Sequence, residues 1–175
     1  MTKIKLEGIR KMKHDLPTRK NIRLKNYDYS APGAYFVTIC TDKRKEILSQ
    51  VIMDNKGNGA ENKLSDIGFV CDDVINHINN AYGCVTVDKY VIMPNHIHLL
   101  LSIHDTNGET CNIVNIIKAM KLFVTRKIGK SIWQRSFYDH IIRDKSDYEN
   151  VWKYIDTNVL KWGFDSLNCN GMAGR

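Results

Sequence analysis

A chain of 175 residues, 43% hydrophobic and 26% charged, fits one domain, or one domain with a tail, and can bury a core. No apolar run reaches membrane-span length, and the N-terminus is polar and basic without an apolar leader. The expectation is therefore a cytoplasmic, nucleoid-associated protein with no membrane partner. Five cysteines, Cys40, Cys71, Cys84, Cys111 and Cys169, are odd in number, widely spaced and without a Cys-x-x-Cys pair, which argues against a disulfide framework and a zinc knuckle. The net charge of +7 is segregated: residues 1–30 carry nine Lys or Arg against three acids, and residues 118–145 carry eight against two. Such segregation suits a polyanion-binding surface, with a solvated tail and an ordinary charged helix face as the plain alternative.

Residues 1–26 read as a basic arm. A turn through Pro32-Gly33 leads into a β-branched and aromatic strand, Ala34 to Thr41, and Ile47 to Met53 reads as a short second strand before a turn at residues 54–59. Ser65 or Asp66 caps a helix whose apolar residues run from Ile67 to Ile78 at helical spacing, ended by Gly83. Val85 to Met93 and His96 to Ile103 are the arms of a hairpin turning at Pro94-Asn95. A helix spans Ile113 to Ile128, closed by Gly129. Ser136 to Arg143 is a strand, the capping box Ser146-Asp147-Tyr148-Glu149 opens a helix through about Leu160, and a polar tail follows from residue 165. This order predicts an α+β, ferredoxin-like (split βαβ) antiparallel sheet, with helices on one face and an added C-terminal helix.

Two features carry chemistry. His96 and His98 flank Ile97, so on a strand both imidazoles project to one face, about 6–7 Å apart along the chain, while Ile97, Leu99 and Leu101 project to the other. Such a pair can converge on a divalent ion or simply form a polar face. On the last helix, Val151, Trp152, Ile155, Val159 and Trp162 gather on one stripe, with Tyr154, Asn158 and Lys161 on its flank. If that flank meets the histidine strand, a mixed nitrogen and oxygen donor set lies beside a phenol, which suits Mg²⁺ or Mn²⁺ better than a closed zinc site.

Three segments, Met93 to His98, Trp133 to Asp144 and Trp152 to Asn158, together with Arg23 to Tyr29 and Gly33 to Thr38, resemble the single-tyrosine HUH transposases, most closely the REP-associated tyrosine transposases. The resemblance runs in order over residues 23–164 and departs at Val159, where that branch has proline. It implies a catalytic domain over 27–164 that dimerises, binds hairpin-forming (palindromic repeat) single-stranded DNA, and cuts and rejoins one strand. In that picture His96, His98 and Asn158 hold the metal, and Tyr154 attacks the scissile phosphate to leave a 5′-phosphotyrosine and a free 3′-OH. Tyr138 is the rival nucleophile. Arg23, Lys25, Lys118, Lys121, Arg126, Lys127, Arg135 and Lys161 are candidate DNA contacts. Two other functions stay open from the residues alone: a non-catalytic nucleic-acid-binding domain on the same fold, and a zinc hydrolase, for which no third histidine or carboxylate is apparent.

Overall fold

The computed structural model of the chain describes residues 27–54, 59–106, 108, 110–165 and 167–168, so the expected basic arm, with Arg23 and Lys25, lies outside the described residues. The strands are β1 (Gly33–Cys40), β2 (Ser49–Met53), β3 (Ala60–Leu64), β4 (Val85–Ile92), β5 (His96–Ile103) and β6 (Tyr138–Ile141). The helices are α1 (Asp66–Asn76), α2 (Ile78–Ala81), α3 (Ile113–Ile128) and α4 (Lys145–Thr157). One sheet holds β4, β5, β1 and β6 in that order, with every neighbouring pair antiparallel. This is the strand order of the ferredoxin-like fold the sequence predicts.

Strand alternation divides the sheet into two unlike faces. Val37 and Ile39 of β1 and Ile97, Leu99 and Leu101 of β5 join Ile75 of α1 and Ile116, Ile117, Met120 and Val124 of α3 in the main core. The alternate residues Phe36 and Leu100 meet Val151 and Ile155 of α4 on the opposite face. Ser65 caps α1, accepting from Gly68 N, and α3 runs between an Asn112 cap and Gly129, whose φ of 79° closes it in the left-handed region.

Several elements differ from the sequence expectation. An additional strand follows β2, because Ala60–Leu64 pairs with it antiparallel; this segment, Ala-Glu-Asn-Lys-Leu, has no β-branched or aromatic residue to announce a strand. The hairpin braces the β4–β5 turn: Ser49 Oγ and Asn62 Nδ2 donate to the Ile92 carbonyl at 3.2 and 2.7 Å, and Leu48 N donates to the Pro94 carbonyl at 3.0 Å. The cap of α4 is Asp144, which accepts from Asp147 N, rather than the box beginning at Ser146. Regular helix ends at Thr157 and the chain continues through turns to a 3-10 turn at Trp162–Phe164.

Two cysteines pair, against the sequence expectation. Cys84, just before β4, and Cys111, just before α3, form a disulfide with their Cα atoms 5.8 Å apart. Spacing alone hides this, since 27 residues separate them and it is the return of β5 that brings the chain back, His104 N donating to the Cys84 carbonyl.

Gly68 marks a close approach of α1 to the rest of the fold, because a Cβ there would collide with the Leu48 carbonyl oxygen. That oxygen already accepts from Ser65 N and Oγ at 2.9 and 3.0 Å. Alanine would otherwise favour the helix by about 1 kcal/mol. The collision outweighs that gain, so Gly68→Ala is expected to destabilise the protein by about 1–3 kcal/mol in urea titrations. A variant as stable as the wild type would contradict the packing described.

Candidate active site

Register places the histidines before any tertiary argument. In β5, His96 pairs across to Cys40 and His98 to Thr38 of β1, and both imidazoles lie on the α4 face, 0% and 2% exposed. Their Nε2 atoms are 3.0 Å apart, the separation that two ligand bonds of about 2.1 Å at roughly a right angle would impose.

Polar neighbours fix how each ring presents its lone pair. Asn95 Nδ2 donates to the Leu167 carbonyl at 2.8 Å, which sets the amide orientation. Asn95 Oδ1 is then the acceptor for His96 Nδ1–H at 2.8 Å, leaving His96 Nε2 as a lone pair. His98 Nδ1 lies 2.9 Å from Thr38 Oγ1, a hydroxyl that can serve either tautomer. The Asn95 backbone is held in turn, its carbonyl accepting from Thr41 N at 2.9 Å and Thr41 Oγ1 at 3.0 Å. Burial pushes both histidines down to about 3, helped at His96 by the Arg44 charge and at His98 by His96. Both rings are neutral near pH 7 and available as donors to a cation.

The C-terminal helix brings the rest. Tyr154 Oη is 3.3 Å from His98 Nε2, and the rings of His98, Phe36 and Tyr154 pack as a cluster, Phe36 stacked on His98 at 5.0 Å and Tyr154 edge-on to it at 5.2 Å. Burial and the Asp165 carboxylate raise the Tyr154 pKa above its ordinary value, opposed by a hydrogen bond from Asn158. Asn158 is buried, its Oδ1 has no hydrogen-bond partner, and its Nδ2 donates to Asp165 Oδ2 at 3.4 Å. Asp165 Oδ2 is in turn 3.9 Å from His96 Nε2. His96, His98 and Asp165 present ligand atoms within 4.8 Å of one another. Two neutral imidazoles, a carboxylate and an orphaned buried amide oxygen form a donor set that fits a divalent cation.

Asp165 escapes sequence reasoning because it opens what reads as a polar tail. The chain turns back at Trp162–Phe164, and Asp165, Leu167 and Asn168 then pack under the site. Asn95 and Thr38 are also found only with the fold, although Asn95 directly precedes the histidine strand. Arg44 is a third such residue. It lines a cleft of about 700 Å³ with His98, Tyr154, Tyr138 and Arg135, on a turn where Lys43 and Arg44 have φ of 53° and 52°, a backbone costly for residues with side chains.

The other candidates are scattered. Arg135 and Tyr138 line the cleft. Lys121 Nζ donates to the carbonyls of Gln134 and Arg135 at 2.6 and 3.2 Å, tying down the cleft's wall. Lys127 pairs with Asp73 on α1. Lys118 and Arg126 are exposed on α3, in the layer across the sheet from Tyr154, and Lys161 is exposed in the turn after α4.

A family model described as IS200-like transposase matches residues 30–158. The chain belongs to that family. An uncharacterised protein of Haemophilus influenzae is 33% identical over 172 residues, covering 85% of this chain and 92% of that one. A second protein of the same organism, provisionally named a REP-associated tyrosine transposase, is 28% identical over 166 residues, covering 81% and 79%. A solved REP-associated tyrosine transposase bound to a REP hairpin superposes with a TM-score of 0.57 at 19% identity, over 82% of this chain and 76% of that one, a likeness of fold. Among the described residues no helix is long and apolar enough to cross a membrane.

The buried histidines make stability depend on pH. Their folded pKa values, about 3, lie below the unfolded value near 6.5, so the unfolded chain takes up protons first. Their contribution is complete above about pH 6.5 and is lost as pH falls toward 3. In chelator-treated protein, unfolding free energy from urea titration should fall by about 2 kcal/mol per histidine between pH 7 and pH 5. The double variant His96→Gln/His98→Gln should remove most of that dependence.

Proposed function

We propose that this chain is a DNA strand transferase that cuts and rejoins one strand of hairpin-forming single-stranded DNA through Tyr154. The observation that carries the reading is the Tyr154 hydroxyl 3.3 Å from one of two paired, buried, neutral histidines. The REP hairpin bound by the transposase of the same fold supports the choice of DNA.

His96 and His98, with the oxygens of Asn158 and Asp165, would hold a Mg²⁺ or Mn²⁺ ion. When bound, the cation supplies positive charge to the phosphate oxygens and the departing 3′ oxygen. Asn95 and Thr38 orient the two imidazoles. The phenol, a poor nucleophile at its ordinary pKa, is held at the site by α4. Its oxygen forms a bond to phosphorus as the bond to the 3′ oxygen breaks, the phenol proton passes to solvent, and the 3′ oxygen takes one up. A 5′-phosphotyrosine and a free 3′-OH result, and attack by a 3′-OH reverses the step, so joining needs no nucleotide cofactor.

The direct test uses a pool of single-stranded hairpin oligonucleotides with randomised flanks and Mn²⁺, with covalent adducts captured in denaturing gels. Wild type and Tyr138→Phe should form adducts, and Tyr154→Phe none; adducts surviving in Tyr154→Phe would assign the nucleophile elsewhere. For the ion, calorimetric Mn²⁺ titration of Asn95→Ala should show a roughly 10- to 100-fold loss of affinity, as expected for an outer partner of a ligand. His96→Ala, His98→Ala and Asp165→Ala should each lose more. Unchanged Mn²⁺ affinity in the histidine variants would remove the metal from the reading.

A further inference from the structure

Tyr138 is an aromatic residue with no structural task in the fold. It is 62% exposed, and among the described residues it stacks on no ring and its hydroxyl makes no hydrogen bond. Register nonetheless locates it closely. Tyr138 of β6 is directly opposite Thr38 of β1, which is directly opposite His98 of β5. Opposed residues of antiparallel strands project to the same face, so Tyr138, Thr38 and His98 form one row across the sheet on the α4 side. Two strand spacings separate the first from the last, roughly 10 Å, and both Tyr138 and Tyr154 line the same cleft.

The segment that carries Tyr138 is firmly held. Its neighbour on the same face, His140, bonds through Nε2 to Asp147 of α4 at 2.9 Å, and Phe137 before it is buried in the core. Lys121 clamps the Gln134 and Arg135 carbonyls just upstream. A solvent-facing ring on a firmly held strand thus stands roughly 10 Å from the histidine that the Tyr154 hydroxyl meets, with Arg44 and Arg135 lining the same cleft to meet phosphates.

We infer that Tyr138 is the stacking platform for the base that flanks the phosphodiester attacked by Tyr154. This rests on the strand-transferase reading and adds to it a seat for one nucleotide. Stacking accepts any base, so the platform positions the strand without itself reading sequence. Tyr138 is a positioning residue in this assignment, and its phenol oxygen is dispensable.

The test uses the Tyr154→Phe protein and a hairpin oligonucleotide with oligothymidine flanks, carrying one 2-aminopurine moved stepwise along the flank. Stacking on Tyr138 should quench the fluorescence at one position. Adding Tyr138→Ala or Tyr138→Leu should abolish that quenching and weaken binding roughly 5- to 100-fold, while Tyr138→Phe should retain both. Leucine keeps an apolar side chain on the strand, so a loss seen in both variants is not a folding defect, which thermal melts also check. If Tyr138→Ala leaves quenching and affinity unchanged, or no position is quenched, while the wild type still forms adducts on the randomised pool, the platform is overturned and the catalytic reading stands. If quenching through Tyr138 persists in a protein whose wild type forms no adducts, the platform stands and the catalytic reading falls.

Discussion

Two imidazoles buried side by side with Nε2 atoms 3.0 Å apart are the constraint to which the rest of the structure answers. Two lone pairs at that distance repel unless a proton or cation lies between them, and both rings are almost wholly buried. Apolar side chains of similar size would fill the same space at lower cost, since buried polar groups must be hydrogen-bonded to be tolerated. The fold instead surrounds the pair with dedicated partners. Asn95 is itself buried and bonded at both ends of its amide, and Thr38 reaches across from the neighbouring strand. A histidine pair kept neutral by its surroundings is a place prepared for positive charge from outside.

Strand alternation is what lets one sheet be both core and candidate site. Along β5, Ile97, Leu99, Leu101 and Ile103 build the main core while His96 and His98 face α4. A slip of one residue would exchange the two sets. The eight-pair register with β1, from Gly33 opposite Ile103 to Cys40 opposite His96, and the core on one side forbid the slip. The accessory hairpin of β2 and β3 holds the turn from which the histidine strand departs. Stability is thus concentrated on the α1 and α3 face, and the histidine pair on the other face inherits its precision.

What was legible in the sequence follows the range of the interactions involved. The histidine strand, the shared face of His96 and His98, and both ends of α3 depend on neighbours within a few residues, and the sequence pattern predicts them correctly. The contact between Tyr154 and His98 was legible only as a condition, because periodicity puts Tyr154 beside Asn158 without saying which sheet face the helix covers. Asp165, the left-handed turn under Arg44 and the Cys84–Cys111 pair were illegible, each being created by chain segments that meet only after closure of the fold. The basic count misleads in a different way: Lys121 and Lys127 contribute to the charge of their segment, yet their ammonium groups are engaged by carbonyls and by Asp73.

The helix carrying Tyr154 is attached differently from the others. Its apolar contact with the sheet is small, Val151 and Ile155 against Leu100 with Phe36 and Val91 beside them, whereas α3 alone buries Ile113, Ile116, Ile117, Met120 and Val124. The ion pair of Lys89 with Asp156, at 2.5 Å and half-exposed on the acid side, contributes little in water. Besides the contact of Tyr154 with His98, polar ties sit at the two ends of the helix: His140 to Asp147 at the start, and Asn158 to Asp165 past the finish. Past Asn158 the backbone winds on through turns. The 3-10 turn that follows returns Asp165 to His96. The anchor at the C-terminal end of α4 is therefore made of the same side chains that complete the donor set, so a cation held by that set would also fasten the helix that bears Tyr154.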